Sequence, residues 1–571
     1  MKKNFVKSRW LFTMLLFVTT MIMPSMMLAQ ESITPTRPKG NGRAEPYQIS
    51  NREELYWFAR LVNGTLENRA RDKSANAILT ANIIVNTGVL DAVNKGKVSE
   101  SDFIEWEPIG KHDSYDAVYT GTFDGQGYTI SGLYFNDTKA SYVGLFGYIG
   151  ADNVYKGKIF NVGVSDSYFQ FDKQGGGVCG LIDYRGVLQN CSNSSTVIGK
   201  NNDSRAGGVC GDNNGTVRDC KNTGSVSGQN DVGGVCGFSA GTVKSCYNTG
   251  SVHGTGTHVG GVCGSNYIGT TYSGTITNCY YLENTATGGM EGKDVPGKAE
   301  KMSIEPFKSG EMAWLLNGKG LGEQVWGQQL GIDPSPVPGS AYKVIKAAQG
   351  DKDANGNDTY WATFSNQKND ATLSVPSGRT LNVYNATVSG GKLTLTQRSD
   401  DQVAKGEGVL LKTNGEYVNA KANKTNDLTK ASSDENHLVA TPAKAKTVIA
   451  DAGYKLYRLT YNNAAKEGLG FYLSVYKANN SYNGTRLKAT PGKAYLKVSE
   501  NEVKDPSSAA LTRSFVFGGG SETTGIDEIT IMGTDVQRHG TIEGIFDLQG
   551  RKISNPTKGI YIKNNKKVII K

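Results

Sequence analysis

Residues able to do chemistry are few in this 571-residue chain, and most are scattered. All eight cysteines fall between Cys179 and Cys279, paired as Cys179 and Cys191, Cys210 and Cys220, Cys236 and Cys246, Cys263 and Cys279. An even count in an exported chain points to disulfides, and separations of 10 to 16 residues would let each pair close across a corner. The same positions read equally well as small apolar ladder residues, because free cysteine is readily buried. The five histidines, His112, His253, His258, His437 and His539, are dispersed. His253 and His258 share a repeat loop but have no third ligand, and no His-Glu-x-x-His occurs. Asp183, Asp203, Asp212, Asp219 and Asp231 lie at different offsets in turn positions, where aspartate caps backbone, and define no acid–base pair. Asp351, Asp353, Asn355 and Gly356 copy the first half of a calcium loop, but Ala362 replaces its bidentate acid. The expectation is no catalytic residue, no metal site and no cofactor. The cysteines remain as structural ladder or disulfide residues.

The elements that must hold these residues repeat. Gly-Val-Cys-Gly occurs at 177–180, 208–211, 234–237 and 261–264, with a divergent Gly-Leu-Phe-Gly at 144–147. A second motif ending in cysteine follows each cysteine-bearing copy, at 186–191, 215–220, 241–246 and 274–279. Asn-Thr-Gly-Ser-Val recurs at 222–226 and 248–252. Glycine supplies 31 of the 147 residues from Gly144 to Met290, and each would cost a helix about 1 kcal/mol. Short strands at sharp corners accept such glycines, so each unit of about 26 residues predicts one coil of a β-solenoid. Val209, Val235 and Val262 are expected to form one interior ladder and Val217, Val243 and Ile276 another. Asn193, Asn222 and Asn248 are expected to form an amide ladder.

These repeats resemble the GLUG motif of bacterial surface proteins over 144–290. The segments at 106–110 and 121–130 are similar to what precedes such repeats. The resemblance implies a right-handed parallel β-helix beginning near residue 78. It implies no activity, since such repeats accompany both adhesins and proteases.

The flanks predict caps and further domains. A capping box at Ser50–Glu53 precedes Leu55, Phe58, Ala59 and Val62 at helical spacing. A short helix is expected over Pro306–Asn317, then a Pro-rich linker at 333–340. Strand-like runs separated by polar loops across 341–518 predict a β-sandwich, a region that resembles accessory modules of Bacteroidetes surface proteins. The module at 525–571 predicts a hairpin around Gln549-Gly550 and strands at Lys558–Lys563 and Lys567–Ile570. It is similar to the C-terminal sorting domain of the Bacteroidetes type nine secretion system.

The N-terminus orders a basic stretch, a 13-residue apolar run (Leu11–Met23) and Ala29, the pattern of a signal peptide over 1–29 followed by a linker at 30–46. That run falls short of the about 20 residues a spanning helix needs. The formal charge is +9, or +5 once the first thirty residues are removed, with no block of five like charges, which argues against nucleic acid as a partner. The expected molecule is all-β: a helix-capped β-solenoid over 47–332, a β-sandwich over 341–518 and a small C-terminal β-domain. Its expected role is that of a non-enzymatic surface or secreted protein. It would lie outside the cell or on the outer membrane (alternatively in the periplasm), without a transmembrane segment after signal removal. Its partner classes are host glycan, host protein or a cell-surface polymer. A polysaccharide-active β-helix hydrolase or lyase is the alternative.

Overall fold

The computed structural model describes residues 33–516, apart from gaps at 97–101, 111–117, 151–154, 270–272, 320–323, 354, 463–467, 475–483 and 504–513, together with the backbone of strands at 530–532, 545–546, 552–553, 559–563 and 566–570. The signal segment, His112, His539 and the Gln549-Gly550 turn lie outside the described residues. The chain divides into two compact units, Met1–Lys343 and Val344–Lys571.

The first unit is a parallel β-solenoid. Each coil passes through four walls in the order illustrated by Arg205–Gly207, Cys210–Asn213, Thr216–Arg218 and Lys221–Asn222, here called sheets I to IV. Equivalent residues stack in register, as in Cys179↔Cys210↔Cys236↔Cys263 on sheet II and Val217↔Val243↔Ile276 on sheet III. Both valine ladders expected from the sequence are buried. The Gly-Val-Cys-Gly motif has a steric cause. A Cβ at Gly208 would overlap the Asn222 side chain, and one at Gly211 would lie 2.5 Å from the Gly175 backbone nitrogen. Only glycine lets the walls approach this closely.

The asparagine ladder forms as expected. Asn193 Nδ2 donates to Asn222 Oδ1 at 2.9 Å, and Asn222 Nδ2 to Asn248 Oδ1 at 2.8 Å. A sharp corner precedes each second cysteine. Asn190, Asp219, Ser245 and Asn278 all adopt left-handed φ, between 52° and 57°. Short polar side chains tolerate that region best.

The solenoid starts earlier than expected. Tyr47–Ile49 already pairs in parallel with Ala77–Leu79, so the first coil opens before the cap helix rather than near residue 78. Helix α1 (Arg52–Asn63) then buries Leu55, Phe58, Ala59 and Val62, with Phe58 packed on Tyr119 and Phe123. Its cap sits one residue later than the sequence suggested. Asn51 accepts from the Glu54 amide, and Glu54 reaches back to the Ser50 amide. The expected helix at 306–317 is split by Gly310 (φ 96°) into Ile304–Ser309 and Glu311–Leu316. The Pro-rich stretch expected to be a linker packs on the solenoid instead. Tyr247 Oη donates to the Pro336 carbonyl at 2.6 Å, and Val337–Pro338 pairs with Trp326–Gly327. Proline has no backbone N–H to donate, but its own carbonyl still accepts.

The second unit is antiparallel for the most part and has three layers where a single sandwich was expected. A central sheet containing Tyr360–Ser365, Gly408–Thr413, Leu381–Ser389 and Lys392–Gln397 buries Phe364, Val383, Val409 and Leu411 against Leu373, Val418 and Ala420 on one side. On the other side it buries Trp361, Tyr384, Leu395 and Leu410 against Tyr457, Phe471 and Leu496. Beyond it, Ile545–Phe546 pairs with Lys552–Ile553 and with Gly559–Lys563, which pairs with Lys566–Ile570, in the hairpin order expected.

Candidate functional site

One polar cluster of the solenoid is built from residues of successive coils. Gln174 pairs in register with Arg205 on sheet I. The next residues along, Ala206 and Val232, then Val232 and Val259, are also paired, so Asp231 and His258 continue the same column. Arg205 Nη1 is ion-paired with Asp212 Oδ2 of sheet II, and its Nε lies 3.7 Å from Asp231 Oδ2. The guanidinium rests 4.0 Å over the Phe238 ring. His258 Nδ1 is 3.2 Å from Asp231 Oδ1. Aromatic pairs flank the cluster. Phe238 and Tyr267 are 6.4 Å apart at one end, while Tyr142 and Tyr148 stack at 5.8 Å at the other, where Tyr148 Oη donates to Asp183 at 3.2 Å.

Burial dominates the electrostatics. It pushes the Asp212 carboxyl above the usual carboxylate range, opposed by Arg205 and reinforced by Asp231 and Asp183. Asp231 is raised for the same reason, opposed by Arg205 and His258. Asp212 is 2% exposed, and among the described residues its Oδ1 accepts no hydrogen bond. The half-buried Arg205 lies against it. The cluster can therefore hold charge in place, but it offers solvent no open carboxylate pair.

Asp183, Asp212 and Asp231 are thus brought together although their offsets looked unrelated. Asp212 also sits in a strand rather than a turn. Asp219 lies at a corner beside Arg218, and Asp203 is exposed in a turn, so neither joins the cluster. A signal was available. Gln174, Arg205, Asp231 and His258 each stand three residues before a Gly-Val-Cys-Gly motif.

The eight cysteines are all free and buried, in two columns. None of the in-coil pairs that the spacing allowed is joined. Thiols donate to nearby carbonyls of their own chain segment, as Cys191 does to Gln189 at 3.2 Å and Cys179 to Leu181 at 3.1 Å. Equivalent cysteines adjoin across coils, with Cys220 Sγ accepting from the Cys191 amide at 3.4 Å. Burial pushes the Cys210, Cys236 and Cys263 thiols well up, away from reactive thiolate.

His253 sits on sheet IV, beside Ser227, away from the His258 position on sheet I. The Asp353 carboxylate accepts from the Asn357 and Asn355 amides, which lowers it from the usual carboxylate value and makes the loop a self-satisfied turn. Among the described residues no group of three or more His, Cys, Asp or Glu side chains is placed to hold a metal ion, and no helix is long and apolar enough to cross a membrane.

No protein-family model matches the chain. A 194-residue stretch, 34% of the chain, is 28% identical to part of Halomucin from Haloquadratum walsbyi, and the chain spans 2% of that protein. A solved structure described as "a putative immunoglobulin A1 protease from Bacteroides ovatus" covers 52% of this chain and 94% of its own, at 19% identity and a TM-score of 0.34. Similarity to these proteins is partial, and what places the chain is its own geometry, that of a parallel β-solenoid followed by layered antiparallel sheets.

Proposed function

We propose that this is an exported, non-enzymatic surface or secreted protein whose solenoid is a rigid binding shaft, with the layered second unit as a further binding module. The observation that supports this best is the state of the carboxylates that converge on the solenoid wall. Asp212 and Asp231 are tied to Arg205 and His258, so the acids act as structural counterions across coils. Stacked coils with repeated side chains offer a long repetitive surface suited to polymers or proteins. Export follows from the signal-like N-terminus, and the C-terminal β-module is the address in this reading. The test is a glycan and matrix-protein array probed with the mature chain, run beside assays for reducing ends and unsaturated products. Binding without turnover is expected, and product release from any polysaccharide would refute the non-enzymatic reading. Removing 525–571 takes away the edge strand at 530–532 that pairs with Lys392–Gln397, and should leave the solenoid and the remaining sheets of the second unit folded but hold the protein in the periplasm. Unchanged surface labelling of the truncated protein would exclude the address role.

The polysaccharide-active alternative has one observation in its favour, the aromatic pairs at both ends of the aspartate cluster. It requires that Asp212→Asn abolish an activity, which the array and product assays would reveal.

A further inference from the structure

A second place on the first unit is built differently. Beside α1 the loop that follows it forms a cleft of about 580 Å³, lined by Arg43, Arg69, Arg71, Lys73 and a single carboxylate, Asp72. That volume falls in the range of small-ligand sites. The arginines are fixed in place. Arg43 Nη2 pairs with Asp72 at 2.8 Å, and its Nη1 donates to the Ser74 carbonyl at 2.9 Å. Arg69 Nη2 donates to Tyr47 Oη at 3.0 Å while its guanidinium lies 5.1 Å over the Trp57 ring. Arg71 donates through Nε and Nη2 to the Asn63 carbonyl at 3.2 and 2.9 Å. The acceptors of Arg69 and Arg71 are neutral oxygens, so these contacts orient two guanidinium groups without cancelling their charge. Asp72 is engaged by Arg43. Four cations against one carboxylate leave the cleft with a local charge of +3. A guanidinium already held in place loses less side-chain freedom on binding an oxyanion, and its planar fork matches carboxylate and sulfate oxygens.

We infer that this cleft binds the oxyanion groups of an acidic glycan, sulfate or carboxylate borne on an extended sugar chain. The oxyanion chemistry comes from the four cations, and the glycan carrier rests on the reading of the chain as an exported binding protein. Binding of the mature full chain to dextran sulfate, to polygalacturonate and to neutral dextran, measured by calorimetry, tests it. Binding to at least one acidic polymer and none to neutral dextran is expected. The two acidic arms separate sulfate from carboxylate recognition. Arg69→Gln with Lys73→Gln should weaken that binding at least tenfold and flatten its salt dependence. Lys73→Glu alone, at a side chain with no hydrogen bond or ion pair among the described residues, should weaken it in the same direction and guards against a double variant that misfolds. Unchanged affinity in folded variants would overturn the inference, as would equal binding of neutral dextran. Tighter binding of a DNA duplex of matched charge would assign the cleft to nucleic acid instead, and so overturn it too. Failure here leaves the surface-labelling test untouched, so the two readings fall separately.

Discussion

At the scale of single residues, the solenoid depends on polar side chains that repeat from coil to coil. Asn222 is the middle rung of its ladder. It receives from Asn193, donates to Asn248 and to the Gly224 carbonyl, and accepts from the Gly224 amide. Asn222→Ala would strand several buried groups, each costing about 1–3 kcal/mol. A loss of about 3 kcal/mol is expected in denaturant melts of the first unit, and a change under ~1 kcal/mol would mean the ladder is not energetically coupled. The cysteines give a second prediction. With both columns free and buried, native protein should resist alkylation, and denaturation without reductant should release eight reactive thiols. Recovery of four in-coil links by non-reducing mass mapping would replace the ladder with disulfides. Position explains why the sequence left this open: small buried cysteines and bridged cysteines share one spacing, and only the register of neighbouring coils separates them.

Elements are joined by caps and buttresses whose positions the chain pattern locates to within a residue or two. Asn51 caps α1 through the Glu54 amide, so Asn51→Ala should cost about 1 kcal/mol and Asn51→Gly only a few tenths, read as a shift in melting temperature. Equal effects would mean that the cap is not the anchor. In the second unit His437 links a loop to the Leu381–Ser389 strand, with Nδ1 accepting from the Val388 amide at 2.9 Å. Burial lowers its pKa below the ordinary 6.5, opposed by Glu502 and Asp434. The unfolded chain therefore takes up the proton first. Stability from this contact is complete above pH 6.5 and falls as acid carries the pH below that value. Stability of the second unit should fall as the pH drops below 6.5, and His437→Gln should flatten the response. A wild-type curve without slope in that window would remove His437 as its source. The hidden third layer of this unit was partly legible. Gly408–Thr413 reads Gly-Val-Leu-Leu and Tyr360–Ser365 reads Tyr-Trp-Ala-Thr-Phe, runs too continuously apolar for strands with one wet face.

For the whole molecule, the break between units falls after Lys343, past the Pro-rich stretch that the sequence marks as a boundary. Expressed separately, 31–343 and 344–571 should each melt cooperatively with β-type circular dichroism. Failure of the first piece to fold while 31–332 succeeds would restore the Pro-rich boundary. By itself, the sequence determined that the chain is β-rich, that its centre is a solenoid, and which valines and asparagines stack, because identical residues at a fixed period must fall on one another when coils add edge to edge. Tertiary structure alone decided what meets across coils. Arg205, Asp212, Asp231 and His258 converge although 53 residues separate the first from the last, because each coil contributes one or two of them to adjoining walls. It also decided that the cysteines stand as free columns and that Pro336 serves as an acceptor on the solenoid. These outcomes depend on the register between walls and on where the loops lie against them, and neither is set by the spacing of residues within a single coil.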